Sequence, residues 1–502
     1  MGKHDAVIIG SGIGGLLCGV ILSREGFDVC VVEKGRKAGG CLQNFTRGGL
    51  VFDTGVHYLG SLDDGQVLNT LFRYAGITGK VKFKRLADNG YDTMTFLDSG
   101  REYRHAIGYD RFVDELSADF PTERENIARY AEKIRAINDS FPLNNLLMPG
   151  SAGPDMSIFS TSVSDFLKSI TPDKRLRDVL AGTNMLYAGM AEKTPVFIHA
   201  LVMHSYIMSA YKVIGGSEKI ADLLADEIRA NGGTILLNSE VVGMTQGADG
   251  NLESVTLSDG VVIEGKSFIA NIHPTAVAAM MDPSRVRKTY VERMKSLENT
   301  ISVFAVYAAM KEGALPVLNT NHYCYRADNV WLADTYDETA WPEGFFLSST
   351  PQTANETSSR AVTILGYMKY EETEKWEGTR IGRRGADYEE FKNVKREKML
   401  DLVGKKFPSF RSGIDGVWTS TPLTYRDYTS TARGSMYGIF HDCTDFMKAH
   451  VTHKTKIPNL FLAGQNASLH GIFGVAVSSL LTCGSLVGLA PLLEKINRAR
   501  GE

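Results

Sequence analysis

Gly10, Gly12 and Gly15, in the run Gly10-Ser-Gly12-Ile13-Gly14-Gly15, make a G-x-G-x-x-G fingerprint, and Glu33 follows twenty-three positions after Gly10. The chemistry this spacing serves is the cradling of a dinucleotide. Gly10 permits a tight turn, Gly12 lets the backbone approach a pyrophosphate, and Gly15 lets a following helix pack against the preceding strand. The first N–H groups of that helix, among them those of Ile13 and Gly14, present a partial positive charge to the diphosphate. A carboxylate at Glu33 accepts hydrogen bonds from ribose hydroxyls and repels a 2′-phosphate.

These residues need a strand, a helix and a second strand to hold them, and the sequence supplies all three. Ala6–Gly10 is a short apolar strand, Gly14–Arg24 a helix with Leu16, Leu17, Val20 and Ile21 on one face, and Asp28–Glu33 a β-branched strand. A Gly-Gly pair after Ile214 opens a helical pattern over Glu218–Ala230. Strand-like runs follow at Thr234–Leu237, Val255–Leu257, Val261–Ile263 and Ser267–Ala270, which reads as a second αβ unit with a small β meander. Near the C-terminus, the apolar strand Asn459–Ala463 meets Gly464, and a long helix begins around Gly474. The regions between differ in character. Residues 106–213 hold helical patterns rich in Met and aromatic residues, and residues 276–413 mix strands such as Ile301–Tyr307 with a charged helix near Tyr388–Leu402. The expected fold class is therefore α/β: a Rossmann-like nucleotide-binding domain (1–105, 214–275 and 414–502) with an interleaved α+β substrate domain (106–213 and 276–413).

Length and composition agree with two interleaved domains. The chain has 502 residues, 43% hydrophobic and 23% charged, a soluble globular balance. A formal net charge of −3 leaves no basic field to attract nucleic acid. Six cysteines are scattered without a C-x-x-C pair, which reads as reduced, buried thiols in a cytoplasmic protein. No signal peptide precedes Ala6, and Ala6 itself breaks the myristoylation pattern that Gly2 would start. Gly471–Leu493 carries no charge and is long enough to span a bilayer. Its Ser478, Ser479, Thr482, Cys483, Ser485 and glycines, with Pro491 near its end, favour a buried helix instead.

The residues downstream of Glu33 narrow the ligand. Lys34, then Gly39-Gly40-Cys41, then Phe52-Asp53-Thr54-Gly55-Val56-His57-Tyr58 follow in order. Pro458-Asn459-Leu460-Phe461-Leu462-Ala463-Gly464-Gln465 and Gly471-Ile472-Phe473-Gly474-Val475 close the chain, and Thr421–Tyr425 with Arg433–Gly438 precede them. Together these resemble the phytoene desaturase, carotenoid isomerase and retinol saturase family of FAD-dependent oxidoreductases, the retinol saturase group above all. The resemblance covers both chain ends and the middle αβ unit. It implies FAD, with Gly39-Gly40 beside the ribityl–phosphate arm and Val56, His57 and Tyr58 beside the flavin ring. Val241, in Asn238-Ser-Glu240-Val241, would meet the adenine edge. Gly464 and Gln465 would meet the ribityl chain, and the helix starting at Gly474 and Val475 would point its N–H groups at the flavin C2 carbonyl. Phe268–Pro274 resembles the strand that returns the chain to the substrate domain.

Three residues are candidate proton donors or ring contacts in that frame: His57, Tyr437 and His470. An imidazole is easily set near neutral pKa, and a phenol can act as an acid or as an aromatic wall. The Met and aromatic residues of 185–211 suit either an apolar tunnel or an ordinary core. No second G-x-G-x-x-G follows a strand, so electrons would come from a diffusible donor or a protein partner. The implied reaction is redox chemistry or isomerisation at a C=C bond of a hydrophobic polyene or isoprenoid. A flavin amine oxidase is the rival, against which Gln465 counts, because amine oxidases usually carry an acidic residue there. A non-catalytic flavin or lipid carrier is the rival of another class. A polyene substrate also implies peripheral contact with the inner face of a membrane.

Overall fold

The computed structural model describes residues 2–150, 153–467 and 469–501. The fingerprint residues lie where a buried parallel sheet meets its helices. Its strands run in the order Thr234–Leu236, Val29–Val32, His4–Ile9 and Val262–Ala270, with Leu460–Leu462 on the far side of the last. Val29–Val32 and the core half of His4–Ile9 are buried on both faces. That is why they read as continuous apolar runs rather than alternating ones. Helix Ile13–Arg24 packs on this sheet beside helix Glu218–Ala230 and the C-terminal helix Gly471–Val487.

Val261–Ile263 and Ser267–Ala270, expected as two strands, are one nine-residue strand, Val262–Ala270. Its first half pairs antiparallel with Leu252–Leu257, and its second half lies parallel to His4–Ile9. At the intervening Glu264-Gly265-Lys266 the strand leaves the half-exposed meander and enters the buried sheet.

A second seven-stranded sheet carries the other half of the molecule. Its order is Ile414–Ser420, Ser302–Met310, Ala361–Met368, Gly344–Ser349, Asn321–Tyr325, Asp92–Phe96 and Arg101–His105. Strands Asp92–Phe96, Arg101–His105 and Ile414–Ser420, expected within the nucleotide-binding domain, pair in this sheet instead. Short strands flanked by turns gave no sign of their long-range partner. A small sheet joins Leu59–Gly60 and Phe83–Arg85 to Ala210–Val213 and ties the N-terminal segment to the region after the helical insertion.

The uncharged stretch at the C-terminus folds as two helices, Gly471–Val487 and Leu489–Arg498, separated at Gly488. The first is packed in the core, with Ser479 Oγ donating to the Gly14 carbonyl at 3.3 Å. No helix among the described residues is long and apolar enough to cross a membrane. None of the six cysteines is paired, and all but the half-buried Cys41 are buried.

Candidate functional site

The glycine turn is built as its spacing requires. Gly10 has φ +93°, and a Cβ on Gly15 would lie 2.1 Å from the Gly10 carbonyl oxygen. A Cβ on Gly14 would lie 3.0 Å from the Gly464 Cα, so the strand end at Gly464 sits directly on the start of the first helix. Glu33 closes the turn from below. Its Oε2 accepts from the Ser11 N–H at 2.9 Å and the Ser11 hydroxyl at 2.6 Å, and its Oε1 accepts from the Gly35 N–H at 2.7 Å. Lys34 is exposed beside it.

The other predicted cofactor residues converge on this turn. The Gly39 N–H donates to the Ser11 carbonyl at 2.9 Å, and a Cβ on Gly40 would meet the Gly12 Cα at 3.2 Å. Cys41 lies against Gly55, whose Cβ would be 2.9 Å from the Cys41 carbonyl oxygen. The chain thus runs from phosphate turn to His57 in one continuous wall. The segment before Val241 is fastened alongside Glu33: the Ser239 N–H donates to the Glu33 carbonyl at 2.8 Å and the Asn238 N–H to the Gly35 carbonyl at 2.9 Å. Val241 then opens the strand Val241–Gln246. Gln465 is half-buried immediately after Gly464.

At the far end of this wall lies a cavity that gathers Val56, His57, Tyr58, Tyr437, His470 and Gly474. No Asp, Glu, Lys or Arg is among the described residues that line it. His57 and His470 each have a buried Nε2 with no hydrogen-bond partner among the described residues. Burial pulls the His57 imidazole down to about 4, the nearby Asp53 offsetting part of the effect, and His470 down to about 3. Both are neutral at physiological pH. The Tyr437 ring lies 4.5 Å from that of His470, tilted by 41°, and its hydroxyl donates to the Met185 carbonyl at 3.0 Å. Tyr437 is a wall whose proton is committed to the backbone.

One expectation shifts by a turn. The C-terminal helix starts at Gly471, whose φ of +77° is that of a capping residue, so the N–H groups of Gly471, Ile472 and Phe473 are free ahead of that of Gly474, and Val475 follows them into the helix. The Met and aromatic stretch divides between both readings offered for it. Leu201, Val202, Ser205 and Tyr206 of helix Val196–Met208 face the cavity. His199 on the same helix is core, held between the hydroxyls of Tyr130 (2.8 Å) and Tyr187 (2.9 Å).

Several residues at the cavity carry no motif. Tyr323 and Phe346 reach it from neighbouring strands of the second sheet, and the Tyr58 hydroxyl bonds to Tyr323 and to the buried Asp92. The available signal was alternation: Asp92 shares a strand face with Met94 and Phe96, which puts an acid on a core face. Lys212 is also buried, 1% exposed, with two acceptors, both at 3.5 Å, among the described residues.

The glycine cradle, closed to any Cβ, and the two unpartnered imidazole nitrogens fit an elongated dinucleotide reaching from Glu33 to the cavity. Comparison with known proteins decides its class. The family of flavin-containing amine oxidoreductases matches residues 13–483. The chain belongs to that family. As a flavin-dependent oxidoreductase of this family, it is 29% identical to the all-trans-retinol 13,14-reductase of Rattus norvegicus, over 97% of this chain and 86% of the relative. It is 24% identical to the chloroplastic prolycopene isomerase of Daucus carota, over 95% of this chain and 79% of that protein. Its fold is shared with wild-type putrescine oxidase bound to putrescine (TM-score 0.66, 14% identity, 97% of this chain and 99% of the other).

Proposed function

We propose that the protein is an FAD-dependent oxidoreductase that reduces a C=C bond of a hydrophobic polyene or isoprenoid. The observation that carries this reading is the uncharged, aromatic-walled cavity at the end of the flavin wall. An apolar chain is at home there, whereas an ammonium substrate would meet no countercharge among the described lining residues. The similarity to a retinol 13,14-reductase along nearly the whole chain supports the same choice.

FAD rather than a mononucleotide is supported by the presence of both halves of a dinucleotide site, the diphosphate turn and Glu33. Bound there, FAD would supply the electron pair and one hydrogen to the double bond. Gly471–Phe473 N–H groups would favour negative charge on the ring beside them. Tyr206, Phe346 and Tyr437 would hold the polyene in place and exclude water. The neutral His57 and His470 offer polar contacts without charge.

The test is to identify the extracted flavin by chromatography, add retinol or a carotene to the anaerobically reduced holoenzyme, and add an amine to the oxidised holoenzyme. Reoxidation by a polyene with a saturated product is the expected result. Bleaching of oxidised flavin by an amine overturns the reading. An altered polyene geometry with unchanged flavin absorbance would make the protein an isomerase, the second reading, favoured by the prolycopene isomerase relative.

A membrane surface is the proposed source of such a substrate. Leu147, Met148, Met156 and Met447 expose 57%, 51%, 66% and 67% of their surface. Met156 and Met447 lie close in sequence to Phe159 and Phe446, whose rings are 4.7 Å apart and pack against a cluster that contains the cavity-lining Leu201, Val202 and Leu469. The protein is expected to float with liposomes, and the Met156→Glu, Met447→Glu double variant to remain in the soluble fraction. Equal flotation of both would exclude this surface.

A further inference from the structure

Saturation of one C=C bond needs two electrons and two hydrogens. One hydrogen travels with the electron pair from the reduced cofactor, and the other must arrive as a proton. The three residues that sequence patterning suggests for this step are poorly placed to give it. The Tyr437 hydroxyl is bonded to the Met185 carbonyl. His57 and His470 are neutral and, among the described residues, have no partner at Nε2 from which to regain a proton.

A fourth group is differently furnished. Tyr58 and Tyr323 both line the cavity, and their hydroxyl oxygens are 2.7 Å apart. The Tyr58 hydroxyl is also 2.8 Å from Asp92 Oδ2. The other carboxylate oxygen, Oδ1, accepts from Asn321 Nδ2 at 2.9 Å. Ser348 Oγ donates to Asn321 Oδ1 at 2.8 Å and so fixes which way that amide faces. One oxygen of Asp92 is thereby committed to an N–H donor, and the only place left for a proton is Oδ2, facing Tyr58.

We infer that Asp92, Tyr58 and Tyr323 form a proton relay that opens on the cavity, with Tyr323 as the acid that protonates the substrate carbon. The inference rests on the C=C-reducing reading above. With Asp92 ionised, Tyr323 donates to Tyr58 and Tyr58 donates to Oδ2, so every hydroxyl points away from the cavity. With Asp92 protonated, each bond reverses: Oδ2 donates to Tyr58, Tyr58 to Tyr323, and the Tyr323 hydroxyl turns to the cavity. At the reaction, one C–H bond forms as the Tyr323 proton leaves. Tyr323 takes the proton of Tyr58, Tyr58 takes that of Asp92, and Asp92 is left ionised. The π electron pair of the double bond makes the new C–H bond, and the carbon it vacates receives the hydrogen that comes with the cofactor's electron pair.

The surroundings set when the store is full. Burial raises the Asp92 carboxyl to about 7, against the opposing pulls of Asn321, Tyr58 and Lys212. Lys212, itself brought down to about 7 by burial, acts on Asp92 through space, and its own ammonium donates to the Leu318 carbonyl and the Ser349 hydroxyl, each at 3.5 Å. Tyr91 and Tyr206, which also feel the Asp92 charge, have hydroxyls held protonated by burial, and His105, its partner on the adjacent strand, is neutral. Asp92 therefore carries its proton below about pH 7 and loses it above.

Two readouts test the relay. The first uses neither substrate nor turnover: the infrared C=O stretch of a protonated carboxyl, followed against pH in the flavin-loaded protein. A band that titrates near neutrality, vanishes in Asp92→Asn and shifts in Tyr58→Phe is expected. Absence of such a band, or its indifference to Tyr58→Phe, overturns the relay whatever the substrate is. The second is single-turnover reoxidation of reduced holoenzyme by a polyene. Wild type should slow by about tenfold per unit above pH 7, and Tyr323→Phe should be about 100-fold slower, the usual scale of a lost general acid. Asp92→Asn should be slow at every pH. These isosteric variants should keep their flavin, checked by absorbance. Unchanged reoxidation in Tyr323→Phe overturns the relay and leaves the polyene reading intact. If no polyene reoxidises wild type while the carboxyl band still titrates and answers to Tyr58→Phe, the substrate reading fails and the relay stands.

Discussion

Glu33 does more than its position after the second strand suggests. Its spacing from Gly10 marks it as a ribose-binding carboxylate, and that much is legible from sequence. What the spacing does not reveal is that the same carboxylate holds the phosphate turn in shape through Ser11 and Gly35. The residue between the first two glycines is nominally free in the fingerprint, so its hydroxyl carries no signal. Glu33→Gln replaces an acceptor by an amide that can no longer receive all three N–H and O–H donors. With Glu33 only 9% exposed, the loss of charge-assisted bonds should cost about 1.5–3 kcal/mol, read as a lowered urea midpoint before any flavin is added. Flavin retention should fall as well. A variant that loses flavin but keeps the midpoint would mean that Glu33 serves the ligand alone. His57 shows the opposite limit of legibility. Its place at the cavity follows from its motif, but its neutrality follows from burial by Phe346 and the second sheet, which no local pattern encodes.

At the scale of elements, the parts of the nucleotide-binding half that are local in sequence were readable and the rest were not. Helix Glu218–Ala230 runs over the residues its periodicity predicts, because an amphipathic repeat with Ile220, Leu224 and Ile228 on one face needs no partner to be recognised. The first strand–helix–strand unit is likewise where the glycines require it. The C-terminal helix begins three residues before Gly474 because Gly471, a residue that discourages helix interiors, serves here at the helix start, with φ +77°. The seven-stranded sheet was largely invisible. Asn321–Tyr325 and Gly344–Ser349 are buried on both faces, so they lack the alternation that announces a strand, and Asn321–Tyr325 pairs on its other side with Asp92–Phe96, more than two hundred residues away. Tyr323 reaches the cavity through that distant pairing. Tyr323, the proposed proton donor, therefore has no motif, whereas His57 and His470, which have one, are neutral imidazoles and the Tyr437 hydroxyl bonds to the backbone.

The two halves of the molecule meet at Asp53, and the site depends on their staying in register. Asp53 stands in the wall that leads from Cys41 to His57, so its motif suggests a role beside the flavin. Its side chain points elsewhere. Oδ1 accepts from the Ser217 N–H and hydroxyl, both at 2.8 Å, and from Asn44 Nδ2 at 2.7 Å, fastening the start of helix Glu218–Ala230. Oδ2 accepts from the Thr350 hydroxyl at 2.9 Å, just past the strand Gly344–Ser349. Gln352 repeats the link one turn of chain later, exchanging bonds of 2.9 and 3.0 Å with the backbone of Val51. The flavin wall comes from one side of this junction, whereas Tyr323 and Phe346 come from the other. A slip between the halves would therefore move the proton donor relative to the cofactor before it disturbed either sheet. Asp53→Asn keeps the shape but turns an amide N–H₂ toward donors it cannot satisfy, in a residue 3% exposed. The cost should be about 3 kcal/mol, and it should fall on the coupling between the halves. Urea unfolding followed in parallel by flavin fluorescence and by far-ultraviolet circular dichroism would read it: flavin release should precede loss of the second sheet in the variant, while the two coincide in the wild type. Coincident transitions at an unchanged midpoint in Asp53→Asn would show that the halves are held together by their apolar contact alone, with the acid a passive occupant of the junction.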